Sequence, residues 1–137
     1  MSSKFIWRIK ETAERERIST ELNVAADIQQ SMLPKNFSAD ERVDLFATMK
    51  AAKEVGGDFY DFYLLDENHL VISIADVSGK GVPAALFMSI AKIILHNFAL
   101  SMKTPDDFAS VMTLANRQLC HDNEEMLFVT VLWECLT

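Results

Sequence analysis

Cysteine is nearly absent: Cys120 and Cys135 are the only two, in no CxxC spacing and with no secretory signal pattern at the N-terminus. That argues against a disulfide framework and for reduced thiols. Positive charge is also short. Thirteen Lys and Arg stand against 20 Asp and Glu, a formal net charge of −7, so the basic face that a phosphate-backbone binder needs is missing and no nucleic-acid partner is expected. Long apolar runs are few. The nearest to one, 82–100, is interrupted by Ser89, Lys92, His96 and Asn97 and barely reaches spanning length, which favours a core helix over a membrane span. There is no GxxxxGK[ST] loop, no internal repeat and no low-complexity stretch. The expectation is a cytoplasmic protein, free or cut from a membrane-anchored receptor. An acidic chain of this kind binds anionic substrates only where metal ions or a local cationic pocket reverse the field. Clustered carboxylates are therefore the feature to find.

Half of the 137 residues are hydrophobic, enough for one core and too few for two full domains. None of the 4 Gly and 3 Pro falls within 4–33, a stretch rich in Glu, Arg, Lys and Ala that stops before Pro34. This predicts one long helix, and residues 1–34 read as a helical linker. Ile18, Leu22, Ala25, Ile28 and Met32 form a short seam below a fully charged middle stretch. The seam fits either a dimerising coiled coil or a surface helix packed on its own domain. Residues 35–137 read as the globular part. The period-two pattern of 43–49 predicts a strand, 58–65 and 70–77 a hairpin about Glu67, 84–100 a buried helix opened by Pro83, and 126–133 a last buried strand. Thr104-Pro105-Asp106-Asp107 opens a further helix with Phe108, Val111, Met112, Ala115 and Leu119 on one face. So few strands leave apolar surface uncovered. Phe128, Val131 and Trp133 are expected near an unfinished edge or face, with self-association as the outcome.

Counting outward from Glu67 sets Asp58 opposite Asp76. Opposed residues of an antiparallel pair share a face, and two carboxylates there repel. Tyr60, Phe62 and Leu64 with Leu70, Ile72 and Ile74 make an apolar floor beside them. A divalent cation would neutralise the pair. In the plainer alternative one aspartate caps a turn and the other faces solvent, because a slip of one residue separates their faces. Gly56-Gly57 before Asp58 and Gly79 and Gly81 after Asp76 permit close backbone approach, and the helix near Pro83 aims free amides at the same end.

Glu54-Val55-Gly56-Gly57-Asp58-Phe59-Tyr60-Asp61 and Asp76-Val77-Ser78-Gly79-Lys80-Gly81-Val82-Pro83-Ala84-Ala85-Leu86 resemble the two signature blocks of SpoIIE/RsbU-type phosphatases, the bacterial branch of the PPM superfamily. Ala26-Asp27-Ile28-Gln29-Gln30-Ser31-Met32-Leu33-Pro34 resembles the helix leading into such domains, and Met126-Leu127-Phe128-Val129-Thr130 a strand motif further on. The resemblance implies an α+β fold, the first half of a four-layer α-β-β-α sandwich preceded by a long helix. It implies two Mn2+ or Mg2+ ions in the complete domain, held by Asp58, Asp76 and the backbone carbonyl of Val77, with Asp58 and Asp76 catalytic. It further implies hydrolysis of phosphoserine or phosphothreonine by metal-activated water without a phosphoenzyme. The implied substrate is a phosphorylated regulatory protein such as an anti-sigma-factor antagonist, and the implied company is an upstream sensor or receiver domain and a homodimer. The substrate-binding residues are not implied.

Two departures qualify this. Ala75 stands where many relatives carry glycine, and the further metal-binding aspartates of the family's C-terminal half have no match here, so 1–137 alone is expected to be inactive. The competing reading is a non-catalytic interaction module derived from such an enzyme. Gly56-Gly57-Asp58 also recurs in diguanylate cyclases, but Tyr60-Asp61 breaks that signature. Lys53 and Lys80 flank the aspartates as phosphate contacts or merely solvated lysines. His69, His96 and His121 lack mutual metal spacing, and Cys120-His121-Asp122 reads as a helix end, since triads are assembled in space.

Overall fold

The computed structural model describes residues 2–37, 40–51 and 54–137. The long helix expected at the N-terminus is α1 (Ser3–Met32), with the Ser2 side chain accepting from the Phe5 amide at 3.4 Å. It ends where the sequence requires, because Leu33, before Pro34, takes an extended conformation (φ −83°, ψ 146°). Its charged middle is an exposed ladder of Arg15–Glu11, Arg17–Glu14 and Arg17–Glu21 pairs. Leu22, Ala25 and Met32 are half-buried, Ile18 and Ile28 are exposed, and only Gln29 is buried within the helix.

Strands β1 (Asp58–Asp66) and β2 (His69–Val77) form an antiparallel hairpin, and β3 (Val129–Leu136) pairs antiparallel with β2, giving the order β1-β2-β3. Between β2 and β3 the chain makes α2 (Gly81–Leu100), a 3-10 turn at Pro105–Asp107, and α3 (Phe108–Cys120). Pro83 lies in the first turn of α2, where a missing amide costs nothing. The Asp107 carboxylate accepts from the Lys103 and Thr104 amides at 2.9 and 3.2 Å, fixing the start of α3.

Alternation divides the sheet into two unlike faces. Phe59, Val71, Ala75, Val77 and Trp133 turn towards Ala84, Phe87, Met88, Ala91, Leu95 and Ala99 of α2 and Val111 and Ala115 of α3, forming the core. Trp133 packs against Phe108 with ring centroids 4.4 Å apart and the planes tilted by 42°. Helix α2 is long and apolar enough to cross a membrane; Ala84, Phe87, Met88, Ala91, Leu95 and Ala99 belong to this core, but Leu86, Ile90, Ile93 and Leu100 are more than half exposed, so the helix expected to be buried covers the core with one face only. The opposite face carries Asp58, Tyr60, Phe62 and Leu64 beside Leu70, Ile72, Ile74 and Asp76, and there Ile74 and Leu132 are 62% and 64% exposed.

The structure corrects three further expectations. Residues 43–49 keep the predicted period, with Val43, Leu45, Ala47 and Met49 half-buried between exposed neighbours, but they join no ladder. Alternation reports which side chains are covered, whereas a strand also needs a partner backbone. The last strand starts at Val129 instead of 126, because Met126 has a positive φ of 55° and Leu127 is held by Asn123 at both its amide and its carbonyl. Val131 and Trp133 do lie on an edge strand, but they pack into the helical core, and the apolar side chains that the sheet leaves exposed include Ile74 and Leu132 on its other face, with Phe128 exposed as expected.

Candidate active site

The hairpin places Asp58 directly opposite Asp76, on the face away from the helices, as the count from Glu67 predicts. The turn itself is two residues, Glu67-Asn68, with Asp66 accepting from the Asn68 amide at 2.8 Å. A bulge between Leu64 and Asp66 supplies the odd residue that restores the predicted register. Arg42 braces this tip, donating to the Glu67 carbonyl while paired with Asp40 at 2.6 Å.

A hydrogen bond to Asp76, helped by partial burial and by repulsion between the two carboxylates, holds the Asp58 carboxyl above the usual carboxylate range. Without a cation the pair thus favours keeping a proton. Around it lies a cavity of about 270 Å³ lined by Met49, Gly56, Gly57, Val77, Gly79 and Lys80 together with the two aspartates. A Cβ on Gly57 would stand 2.9 Å from the Val77 Cβ and 3.1 Å from the Ala84 Cβ, so only glycine lets this turn seat against β2 and α2. Gly79 and Gly81 take positive φ values of 83° and 69°, turning the chain from β2 into α2, and the amino end of α2 begins at the cavity wall. A second, open groove of about 750 Å³ runs from the aspartates over Tyr60, Ile74, Thr130 and Leu132.

The structure thus brings Asp58, Asp76 and Val77 together, and Lys80 lines the same cavity. Lys53 lies outside the described residues. The donor set suits a hard cation, since two facing carboxylates supply oxygens and relieve their repulsion by binding one. Among the described residues no group of three or more His, Cys, Asp or Glu side chains gathers to hold a metal. The histidines are engaged elsewhere: His69 with Asp66 at 2.7 Å, His96 with Asp61 at 2.7 Å, and His121 with Asp122 at 3.0 Å. Cys120, His121 and Asp122 sit exposed at the end of α3, the helix end that the sequence suggests.

Two residues near the site escape a reading of the sequence. Asp61, on the helical face of β1, is 6% exposed and meets His96 at 2.7 Å and Lys92 at 3.6 Å, both from α2. Its place in the alternation, between Phe59 and Tyr63, signals burial, and Lys92 and His96 four residues apart signal one helix face. Gln29 of α1 reaches the Gly56 peptide, and its only signal is a position four residues after Ala25 and four before Leu33 on the covered side of the helix.

Comparison with known proteins decides the family. The profile of the Stage II sporulation protein E (SpoIIE) family matches residues 66–135, half of the chain. The chain belongs to the SpoIIE family. The matched stretch contains Asp76, and Asp58 precedes it. Among SpoIIE-related proteins, the phosphoserine phosphatase RsbU of Bacillus subtilis (strain 168) is 32% identical over 119 residues, covering 87% of this chain and 34% of RsbU. Protein IcfG of Synechocystis is 39% identical over 79 residues, 58% of this chain and 12% of IcfG. The phosphoserine phosphatase RsbP of Bacillus subtilis (strain 168) is 36% identical over 66 residues, 48% of this chain and 16% of RsbP. The chain thus spans about a third or less of the length of these relatives. The SiaA-PP2C domain of Pseudomonas aeruginosa matches with a TM-score of 0.65 at 23% identity, over 88% of this chain and 50% of that domain, which shows a shared fold.

Proposed function

We propose that this chain carries one wall of the active site of a metal-dependent protein serine/threonine phosphatase. One observation carries the reading: Asp58 and Asp76, facing each other across the hairpin and unneutralised by any cationic side chain in a salt bridge among the described residues, open into a cavity walled by glycines and Lys80. Asp58, Asp76 and the Val77 carbonyl would hold Mn2+ or Mg2+ ions. Bound there, the ions would activate water for attack on a phosphoseryl or phosphothreonyl group and offset its charge. The protein's own part is to hold two carboxylates at one point, to keep the floor beside them apolar with Tyr60 and Ile74, and to present Lys80 and the amino end of α2 to the anion. The names of RsbU and RsbP as phosphoserine phosphatases support this chemistry. The substrate would be a phosphorylated regulatory protein, such as an anti-sigma-factor antagonist, in the cytoplasm, with residues 1–34 linking the catalytic part to a sensor or receiver domain and to a second copy.

In the intact protein, Asp58→Asn or Asp76→Asn should lower Mn2+-dependent hydrolysis of a phosphopeptide by about a thousandfold, roughly 4 kcal/mol of barrier, with the circular dichroism spectrum unchanged. Full activity in either variant would refute the assignment. Residues 1–137 alone, with two side-chain ligands, should show little turnover. The non-catalytic alternative draws on the exposed Ile74 and Leu132, and would be favoured if the intact protein bound its partner but released no phosphate.

A further inference from the structure

Of the thirty residues in α1, Gln29 is the one that is buried, at 7% exposure. Its Nε2 donates to the Gly56 carbonyl at 2.8 Å, and its Oε1 accepts from the Gly56 amide at 3.1 Å. Both polar groups of a single residue, two positions before Asp58, are thus closed by one side-chain amide. A backbone amide and carbonyl in a half-buried turn gain from finding partners, and among the described residues no strand supplies them. On the other side of the turn the Gly57 carbonyl accepts from the Val77 amide at 3.1 Å. The Gly56-Gly57 turn is therefore stitched to β2 by its own backbone and to α1 by Gln29. The amide also lies 3.6 Å from the Met88 sulfur of α2, and Leu33, just past the end of α1, is buried in the same core as Phe59.

We infer that Gln29 is a positioning residue for the carboxylate pair, fixing the turn that delivers Asp58 opposite Asp76. This rests on the metal reading proposed above. The shape of a side-chain amide explains why glutamine suits the place. It offers one donor and one acceptor in a plane, which a peptide group matches with two roughly parallel hydrogen bonds. Leucine offers neither, and glutamate keeps the acceptor while setting a carboxylate against the Gly56 carbonyl. Partners that orient metal ligands from behind typically change metal affinity by about 10- to 100-fold when removed.

The test uses the intact protein and Mn2+. Gln29→Leu should raise the Mn2+ concentration for half-maximal activity about tenfold, with the maximal rate recovered at saturating Mn2+. In the metal-free protein it should also speed hydrogen exchange at the Gly56 amide by a similar factor. Gln29→Glu should move both readouts in the same direction, and serves should the leucine variant misfold. Leu33→Ala removes buried contact near the same end of α1 without touching Gly56, so it should lower the melting temperature and leave the Mn2+ dependence in place. An unchanged Mn2+ dependence in the Gln29 variants, or a shift no larger than that of an equally destabilised Leu33→Ala, would overturn the inference. Should Asp58→Asn leave Mn2+ binding intact, the metal reading itself fails, while Gly56 exchange still reports whether Gln29 holds the turn.

Discussion

Asp58 and Asp61 lie three residues apart on one strand, face opposite sides of the sheet, and meet opposite electrostatic fates. Asp61 is sunk against α2, where His96 and Lys92 surround its carboxylate. Asp58 is more open, yet its partner is another acid, and its carboxyl is held above the ordinary range by that neighbour. Where the fold needs a charge inside, it supplies the counter-charge from a packed helix. Where it leaves like charges face to face, the missing counter-charge must come from outside. The acid deep in the core thus finds its partners within the fold, and the acid at the rim is the one for which a metal-binding role is proposed.

The comparison breaks first at Asp61. Asp61→Ala should cost about 3 kcal/mol of stability in chemical denaturation, because it strands Lys92 and His96 against an apolar core. A loss below about 1 kcal/mol would mean that water or rotation of Lys92 repairs the site.

The same strand should respond with the opposite sign at Asp58. In metal-free protein, Asp58→Asn should leave stability unchanged or raise it by up to about 1 kcal/mol, the scale of a like-charged pair relieved across two strands. Clear destabilisation would show that Asp58 carries structural weight.

The smallest effect concerns pH. The folded protein holds Asp58 above its ordinary value of 3.8, so the folded state keeps a proton that the unfolded chain releases. This contribution is fully present below the unfolded pKa and is lost as pH rises through the raised folded pKa. Metal-free protein should thus lose a little stability as pH climbs from below 4, and the loss should vanish in Asp58→Asn. Saturating Mn2+ should reverse the trend, because the ion binds the deprotonated pair. Thermal melts across that range with and without Mn2+ read both slopes.

What a reader of the sequence can recover follows from how local each signal is. The hairpin is local: alternation in 58–65 and 70–77 fixes the faces, and a turn of polar residues fixes the register to within the one residue that the bulge absorbs. Helix limits are local too, since Ser2, Pro34, Pro83 and Pro105 act within a turn of themselves. The fate of 43–49 is not local. Its alternation describes covered and bare side chains correctly, but pairing depends on a backbone elsewhere. Asp61 and Gln29 show the same limit at the site. Each is polar at a covered position, which is visible, yet the partners that satisfy them stand 35 and 27 residues away. Asp58 and Asp76 were legible because the turn between them converts sequence distance into spatial opposition.

That conversion has an arithmetic side. Side chains of a strand alternate, so with the turn and the bulge both kept the connection between β1 and β2 carries a parity: an even change in strand length keeps both aspartates on one face, and an odd change sends one of them to the helices. The bulge at Leu65 is the bit that sets this parity, for a two-residue turn joined to regular strands would count to the other value. Loops of this kind usually tolerate insertions freely. This one should accept two extra residues more readily than one within the strands, whereas deleting the bulged Leu65 itself should leave regular strands on the same two-residue turn with Asp58 still opposite Asp76.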